Sequence, residues 1–240
     1  MNETGASLQE SPPYLMPLDT PIVFVVDDDV SVRESLESLI RFAGWRPQTF
    51  ASAQEFLIRP RVFAPSCLVL DVTLPDLNGL DVQKRIAPDR LDMPIIFITG
   101  HGDVPMAVRA MKAGAVEFLT KPYGDAVLLS AIQQAIACSR AALRREAEMQ
   151  SIRCRYASLS RRERQVMALV VRGLLNRRVA GELCISEITV KAHRGNVMRK
   201  MQANSLADLV NMAALLRVEI DRETPAHQSC GLRTSVPKCN

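Results

Sequence analysis

Four places in this sequence combine a residue type with a position that could handle phosphorus. Asp27 and Asp28, Asp71, Thr99, and Lys121 with Pro122 after it each stand at the end of a short apolar run. The runs are Ile22–Val26, 67–70, Ile95–Thr99 and 116–119. If these are parallel strands, their carboxyl ends share one rim, which is where open α/β sheets bind ligands. Three carboxylates gathered there repel one another unless a cation joins them, and hard oxygen ligands favour Mg²⁺. A bound cation also keeps the carboxylates ionised, as a nucleophile requires. A lysine and a hydroxyl beside them can hold the oxygens of a phosphoryl group, whose transfer needs mainly positioning and charge neutralisation. Asp71, on the middle strand, is the natural acceptor. Taken singly, each residue has a plainer use: aspartate at a strand end is often a turn or cap residue. The full set carries the inference.

The segments between these runs must supply the scaffold. Val32, Leu36, Leu39 and Ile40 recur at helical spacing and stop at Gly44. Residues 48–50 predict a weak second strand and 51–58 a short helix. Gly79–Ile86 reads as a helix, 106–111 lies in a helix stopped by Gly114, and 126–137 opens a long one. Apolar strands alternating with helices predict a parallel sheet covered on both faces. About five such units in 21–138 suit one doubly wound domain. Residues 140–155, rich in Ala, Arg and Glu and free of Gly and Pro, predict a helical continuation or linker.

A second constellation follows. Ser160-Arg161-Arg162-Glu163 is a capping-box pattern, and four short helices are predicted over 160–172, 176–183, 186–200 and 205–217. On a wheel of 100° per residue, Val190, Val197 and Met201 fall together toward a core. Lys191, Ala192, Gly195 and Arg199 fall on the opposite face, small in the middle and basic around it, a shape that suits a DNA major groove. Lys191 and Ala192 are the expected base-edge contacts. Thr189, Asn196, Arg199 and Lys200, with Arg177 and Arg178 opening the preceding helix, are the expected phosphate contacts. Arg194 turns toward the apolar side, where an ion pair with Glu163 competes with DNA contact. His193 sits at the core edge and reads as packing. Leu206, Leu209, Val210 and Ala213 give the last helix a face for dimerisation, for packing, or for both.

Composition narrows the alternatives. Of 240 residues, 48% are hydrophobic and 23% charged, which excludes a fibrous repeat or a wholly disordered chain. No apolar run is expected to reach the ~18–20 residues that span a bilayer. The first nineteen residues hold three acids and no Lys or Arg, unlike a secretory signal. Six cysteines show no Cys-x-x-Cys spacing, and Cys67 and Cys184 fall in apolar patterns; reduced cytosolic thiols are expected. The net charge of +4 hides an asymmetry: residues 157–220 hold eleven bases against five acids, whereas 21–138 hold eleven against fourteen. An acidic larger part followed by a basic small one suggests phosphate chemistry joined to a polyanion binder.

At this point two family resemblances are visible. The strings VFVVDDDVSVRESL, LVLDVTLPDLNGLD, PIIFITGHGDVPMAVRAMKAGA and VEFLTKPY resemble the receiver domain of two-component response regulators. The string LSRRERQVMALVVRGLLNRRVAGELCISEITVKAHRGNVMRKM resembles a LuxR-type helix-turn-helix. In this order they resemble the NarL/FixJ class, and TGHGDVPMAV and TVKAHRGNVMRKM point to its FixJ-like subgroup. The resemblance implies an α/β doubly wound, flavodoxin-like receiver (21–138), a helical linker (139–156) and an all-α four-helix helix-turn-helix domain (157–220). A flexible leader (1–20) and a disordered tail (221–240) flank them.

It further implies that Asp71 accepts the phosphoryl group and that Asp27 and Asp28 carry Mg²⁺, Asp28 more directly, with the backbone carbonyl of Thr73. Thr99 and Lys121 contact phosphoryl oxygens, Phe118 is the aromatic switch, and Lys121-Pro122 is cis. His101 either faces the site and tunes the acyl phosphate or is a plain loop residue. The implied partners are a sensor histidine kinase, double-stranded promoter DNA, a second copy after phosphorylation, and RNA polymerase, in the cytoplasm and without a membrane. The chain is then no enzyme beyond phosphorylating and dephosphorylating itself. A Mg²⁺-dependent phosphohydrolase is the alternative from another class, but Thr73 stands where its general acid belongs and no insertion encloses a substrate. A receiver acting as a phosphate-independent interaction module is the third reading.

Overall fold

The computed structural model describes residues 20–86 and 92–223; the tail from Thr224 and the leader before Thr20 lie outside them. The chain divides into two compact units between Arg145 and Glu146.

In the first unit β1 (Ile22–Val26), β2 (Arg46–Phe50), β3 (Ser66–Asp71), β4 (Ile95–Thr99) and β5 (Glu117–Thr120) form one sheet. All its pairings are parallel, in the order β2-β1-β3-β4-β5. Helices α1 (Val30–Phe42), α2 (Ala53–Leu57), α3 (Gly79–Ile86), α4 (Val104–Lys112) and α5 (Asp125–Ala157) intervene or follow. The order reverses direction between β1 and β3, and the crevice at such a reversal is where doubly wound sheets place their ligands.

Side chains alternate across each strand, so the continuous apolar runs split into two cores. Phe24, Leu68, Leu70 and Phe97 pack on one face with Phe56, Val82 and Ala110 from α2, α3 and α4. Val23, Val25, Val69, Ile96 and Ile98 pack on the other with Leu36 and Ile40 of α1 and Leu128, Ile132 and Ile136 of α5. Burial on both faces explains why these strands read as unbroken hydrophobic runs.

Three expectations need correction. β2 begins at Arg46 rather than Gln48; its charged start and Pro47 look like loop, yet an edge strand tolerates proline. α2 is shorter than 51–58 because Ser52 caps it, accepting the Glu55 N–H. The third concerns α5, which contains an 18-residue stretch long and apolar enough, by length and composition, to cross a membrane. Gln133, Gln134 and Ser139 interrupt that stretch and hid it from inspection. Its Leu128, Ala131, Ile132, Ala135 and Ile136 lie buried against the sheet, and the Ser139 hydroxyl accepts the Ser66 N–H at 3.0 Å. It is a core helix.

The second unit is helical: the last part of α5, α6 (Arg161–Val170), α7 (Asn176–Leu183), α8 (Glu187–Met201) and α9 (Leu206–Glu223). Its core gathers Ile152, Val166, Val170, Val179, Val190, Val197, Met201 and Leu209. Ile152, with Met149 and Tyr156 against the same core, puts part of the expected linker inside the packing of this unit. The turn from α7 into α8 passes through Cys184 in the left-handed region (φ 53). Cys184 is exposed rather than apolar-packed, whereas Cys67 is buried and its thiol is pushed well up by desolvation.

Candidate functional site

The three aspartates after β1 have three different roles. Asp27 is fully buried; its Oδ1 accepts the Asp29 N–H at 2.9 Å, and its carbonyl accepts the Arg33 guanidinium at 2.7 Å. Asp28 is exposed. Asp29 caps α1 by accepting the Ser31 N–H at 2.8 Å. Only neighbours in space separate these roles, so the run Asp-Asp-Asp could not assign them.

At the end of β3, Asp71 is 5% exposed and its Oδ1 accepts the Thr73 N–H at 2.8 Å. Lys121, beyond β5, donates to Asp27 Oδ2 and Asp71 Oδ2 at 2.7 Å each. The peptide after it, to Pro122, is cis. Carboxylate oxygens of Asp27, Asp28 and Asp71 all lie within 4.8 Å of one another. The sheet thus joins residues up to 94 positions apart.

The electrostatics follow from this crowding. Burial pushes the Asp27 carboxyl above its ordinary value; Lys121 opposes that shift and the Asp71 charge adds to it. Burial also pulls the Lys121 ammonium down, but its hydrogen bonds to Asp27 and Asp71 outweigh it and leave the group raised. Three carboxylates against one ammonium leave two negative charges, the deficit a divalent ion fills. An all-oxygen donor set with an exposed edge at Asp28 suits a hard cation that keeps water ligands.

Thr99 is fully buried at the end of β4, and its Oγ1 accepts the His101 N–H at 3.2 Å. The His101 side chain is exposed. Phe118 is half-buried, its ring 6.3 Å from that of Phe97. Two glycines missed in the sequence matter here. A Cβ on Gly79 would lie 2.6 Å from the Asp71 carbonyl oxygen, so the loop after β3 closes only with glycine at that place. A Cβ on Gly102 would lie 3.0 Å from side-chain atoms of Thr99, Phe118 and Thr120. Backbone approach leaves no periodic trace, which is why neither stood out. Half-buried Tyr123, whose hydroxyl is pushed up by burial, also lies within the field of Lys121, Asp27 and Asp71.

In the helical unit the capping box forms in both directions: Ser160 N–H to Glu163 Oε2 at 2.8 Å, and Glu163 N–H to Ser160 Oγ at 3.2 Å. The expected Glu163–Arg194 pair is not made. Glu163 accepts instead from Lys200 at 2.7 Å, and Arg194 donates to Asn176 Oδ1 at 3.1 Å. Lys200 also reaches the Ser158 carbonyl at 3.3 Å. Its ammonium thus has two internal partners, which gives Lys200 a structural role that competes with the expected contact to DNA phosphate. A helical wheel gives a direction and not a partner, and Lys200 is long enough to reach back to α6.

The hydrogen bond from Lys200, followed by the capping contacts, holds the Glu163 carboxyl at about 2 against an ordinary 4.5. A depressed carboxylate pKa contributes stability above the unfolded value and loses it as pH falls through the folded one. The contribution of Glu163 should therefore fade between pH 4.5 and about 2. Glu163→Gln should destabilise the helical unit by about 2 kcal/mol near neutral pH and flatten its acid transition in that window. Circular dichroism of the full chain against pH checks this; an unchanged acid profile would refute it.

Val190, Val197 and Met201 are buried, while Lys191, Ala192, Gly195 and Arg199 are exposed, as the wheel predicted. Thr189 shares a 2.7 Å hydrogen bond with Ser186, and Arg199 donates to Asn196 at 3.2 Å. Arg177 and Arg178 are exposed at the start of α7, and His193 is half-buried.

Comparison with known proteins finds a family match for each unit. Residues 23–133 match the family described as response regulator receiver domain, and 157–213 match bacterial regulatory proteins of the luxR family. Nodulation protein W of Bradyrhizobium diazoefficiens is 51% identical over 199 residues, covering 82% of this chain and 87% of its own. Transcriptional regulatory protein FixJ of the same organism is 46% identical over 191 residues, covering 80% and 93%. The solved response regulator StyR superposes with a TM-score of 0.74 at 46% identity, over 81% of this chain and 98% of its own. These matches, with the parallel five-stranded sheet and the helical unit after it, place this chain among the two-component response regulators of the NarL/FixJ class, receiver first and LuxR-type DNA-binding domain second.

Proposed function

We propose that Asp71 accepts a phosphoryl group from the phosphohistidine of a sensor kinase. A carboxylate oxygen of Asp71 bonds to phosphorus as the bond to the histidine nitrogen breaks, and the proton balance is completed on the leaving imidazole. The observation that carries this reading is the meeting of Asp27, Asp28 and Asp71 oxygens within 4.8 Å of one another, beside the Lys121 ammonium. Asp27, Asp28 and Asp71, with the Thr73 carbonyl, are the residues that would hold Mg²⁺. When bound, Mg²⁺ neutralises charge on the transferring group. Lys121 exchanges a carboxylate for a phosphoryl oxygen, and Thr99 turns its hydroxyl from the His101 N–H toward another. Phe118 then repacks in the space that Thr99 leaves, so a local charge event biases a bistable packing element. Hydrolysis of the acyl phosphate resets it.

The receiver spans 21–138 and the helix-turn-helix domain 157–220; the segment 139–156 between them is the part of α5 that starts at the sheet with Ser139 and ends in the core of the helical unit with Ile152. Phosphorylated chains pair and place two α8 helices on half-sites about one turn apart, with Lys191 and Ala192 at base edges. Arg177, Arg178, Thr189, Asn196 and Arg199 lie along phosphates. RNA polymerase is a further partner, and the setting is the cytoplasm. With a small-molecule phosphodonor and Mg²⁺, the chain should elute as a dimer and retard promoter DNA; a chelator should prevent both. Equal pairing and DNA binding without phosphodonor would sink the reading in favour of a phosphate-independent module.

A further inference from the structure

The outward line of α8 is not wholly basic. Ile188, in its first turn, is 81% exposed. At 100° per residue, Ile188, Ala192, Gly195 and Arg199 all fall within about 40° of the direction opposite Val190, Val197 and Met201. Read along the helix, the line presents a large apolar side chain, a small one, none, and then a base. Nothing lies within 4 Å of a Cβ built on Gly195, so the middle of this face is open. Exposed Lys191 borders it, Arg199 ends it, and Arg177 and Arg178 are exposed at the start of α7. The one acid of α8, Glu187, lies about 120° round the helix from the centre of that line.

An apolar side chain among bases fits a polyanion that also presents apolar groups. The DNA major groove does so at the C5 methyl of thymine, which cytosine lacks. We propose that Ile188, with Ala192 one turn on, reads thymine methyls and is a specificity-determining residue of this regulator. The proposal rests on the reading that α8 enters the major groove. Ile188 adds no charge, so it contributes base preference and not general attraction to phosphates, which the surrounding bases supply. Covering one methyl group corresponds to about a fourfold change in affinity per half-site.

The test uses the full-length chain treated with a small-molecule phosphodonor. Its preferred duplex is selected from a random library. Each thymine of the half-site is then replaced in turn by deoxyuridine, which removes the C5 methyl and leaves every hydrogen-bonding group. The wild-type chain should lose about fourfold in affinity at one or two thymines. Ile188→Ala should lose nothing further at one of those same thymines, while keeping wild-type affinity for unrelated DNA. Two results would overturn the proposal with the DNA-binding reading intact: no thymine sensitive to deoxyuridine in the wild type, or unchanged sensitivity at every thymine in Ile188→Ala. Absence of salt-sensitive binding to any duplex would overturn that reading and the proposal together.

Discussion

Asp71→Asn should take up no phosphoryl group from a phosphodonor or from a phosphorylated kinase, where the wild-type chain takes up one. The substitution is nearly isosteric, so the amide oxygen can still accept the Thr73 N–H that now meets Asp71 Oδ1 at 2.8 Å. Lys121 keeps Asp27 as a partner at 2.7 Å. Removing one of two acids that crowd each other also relieves the repulsion that helps raise the Asp27 carboxyl. The fold is therefore expected to survive, and a near-native melting curve is the control. An amide is a poor nucleophile toward phosphorus, so the loss should be total and not graded. Asp27 and Asp28 are no substitutes, since one is locked by the Asp29 N–H and Lys121 and the other is exposed. Acid-labile, hydroxylamine-sensitive label on the variant at the wild-type rate would refute the acceptor assignment.

The second large effect concerns salt. With Lys200 committed to Glu163, the charged phosphate contacts proposed for each chain are Arg177, Arg178 and Arg199. A dimer then neutralises about six phosphates, which gives a slope near −5 for the logarithm of affinity against the logarithm of salt. Between 50 and 200 mM salt the affinity should fall about a thousandfold. Replacing both Arg177 and Arg178 by alanine should flatten the slope to about −2, whatever the sequence of the duplex. Lys200→Ala should leave the slope unchanged and lower the stability of the helical unit instead. Titrations by fluorescence anisotropy at several salt concentrations distinguish these outcomes, and a slope near zero would remove the phosphate contacts altogether.

How much of this was legible in the sequence depended on the range of the interaction. Strands buried on both faces announced themselves as apolar runs, and a polar residue ending each run marked the rim where Asp27, Asp71, Thr99 and Lys121 meet. Period alone sorted Val190, Val197 and Met201 inward and Lys191 and Arg199 outward. Choice of partner was not legible. The wheel turned Arg194 toward the core but could not say that Asn176 would meet it, nor that Lys200 would reach Glu163. Edge strand β2 was half hidden because Arg46 and Pro47 answer to solvent more than to a core. The apolar stretch of α5 was missed for a related reason: paired glutamines punctuate it on the side away from the sheet. Gly79 and Gly102 matter through the atoms that come near them, and those belong to distant segments.

The ammonium of Lys121 sits between two carboxylates that come from different strands, and its own chain arrives from a third, at the far edge of the sheet. It works as a clasp that draws the rim of the resting receiver together across four neighbouring strands. In the proposed reaction an incoming phosphoryl oxygen competes for that same clasp. On that proposal, cohesion at rest and responsiveness to the signal are set by one side chain and cannot be tuned apart from each other.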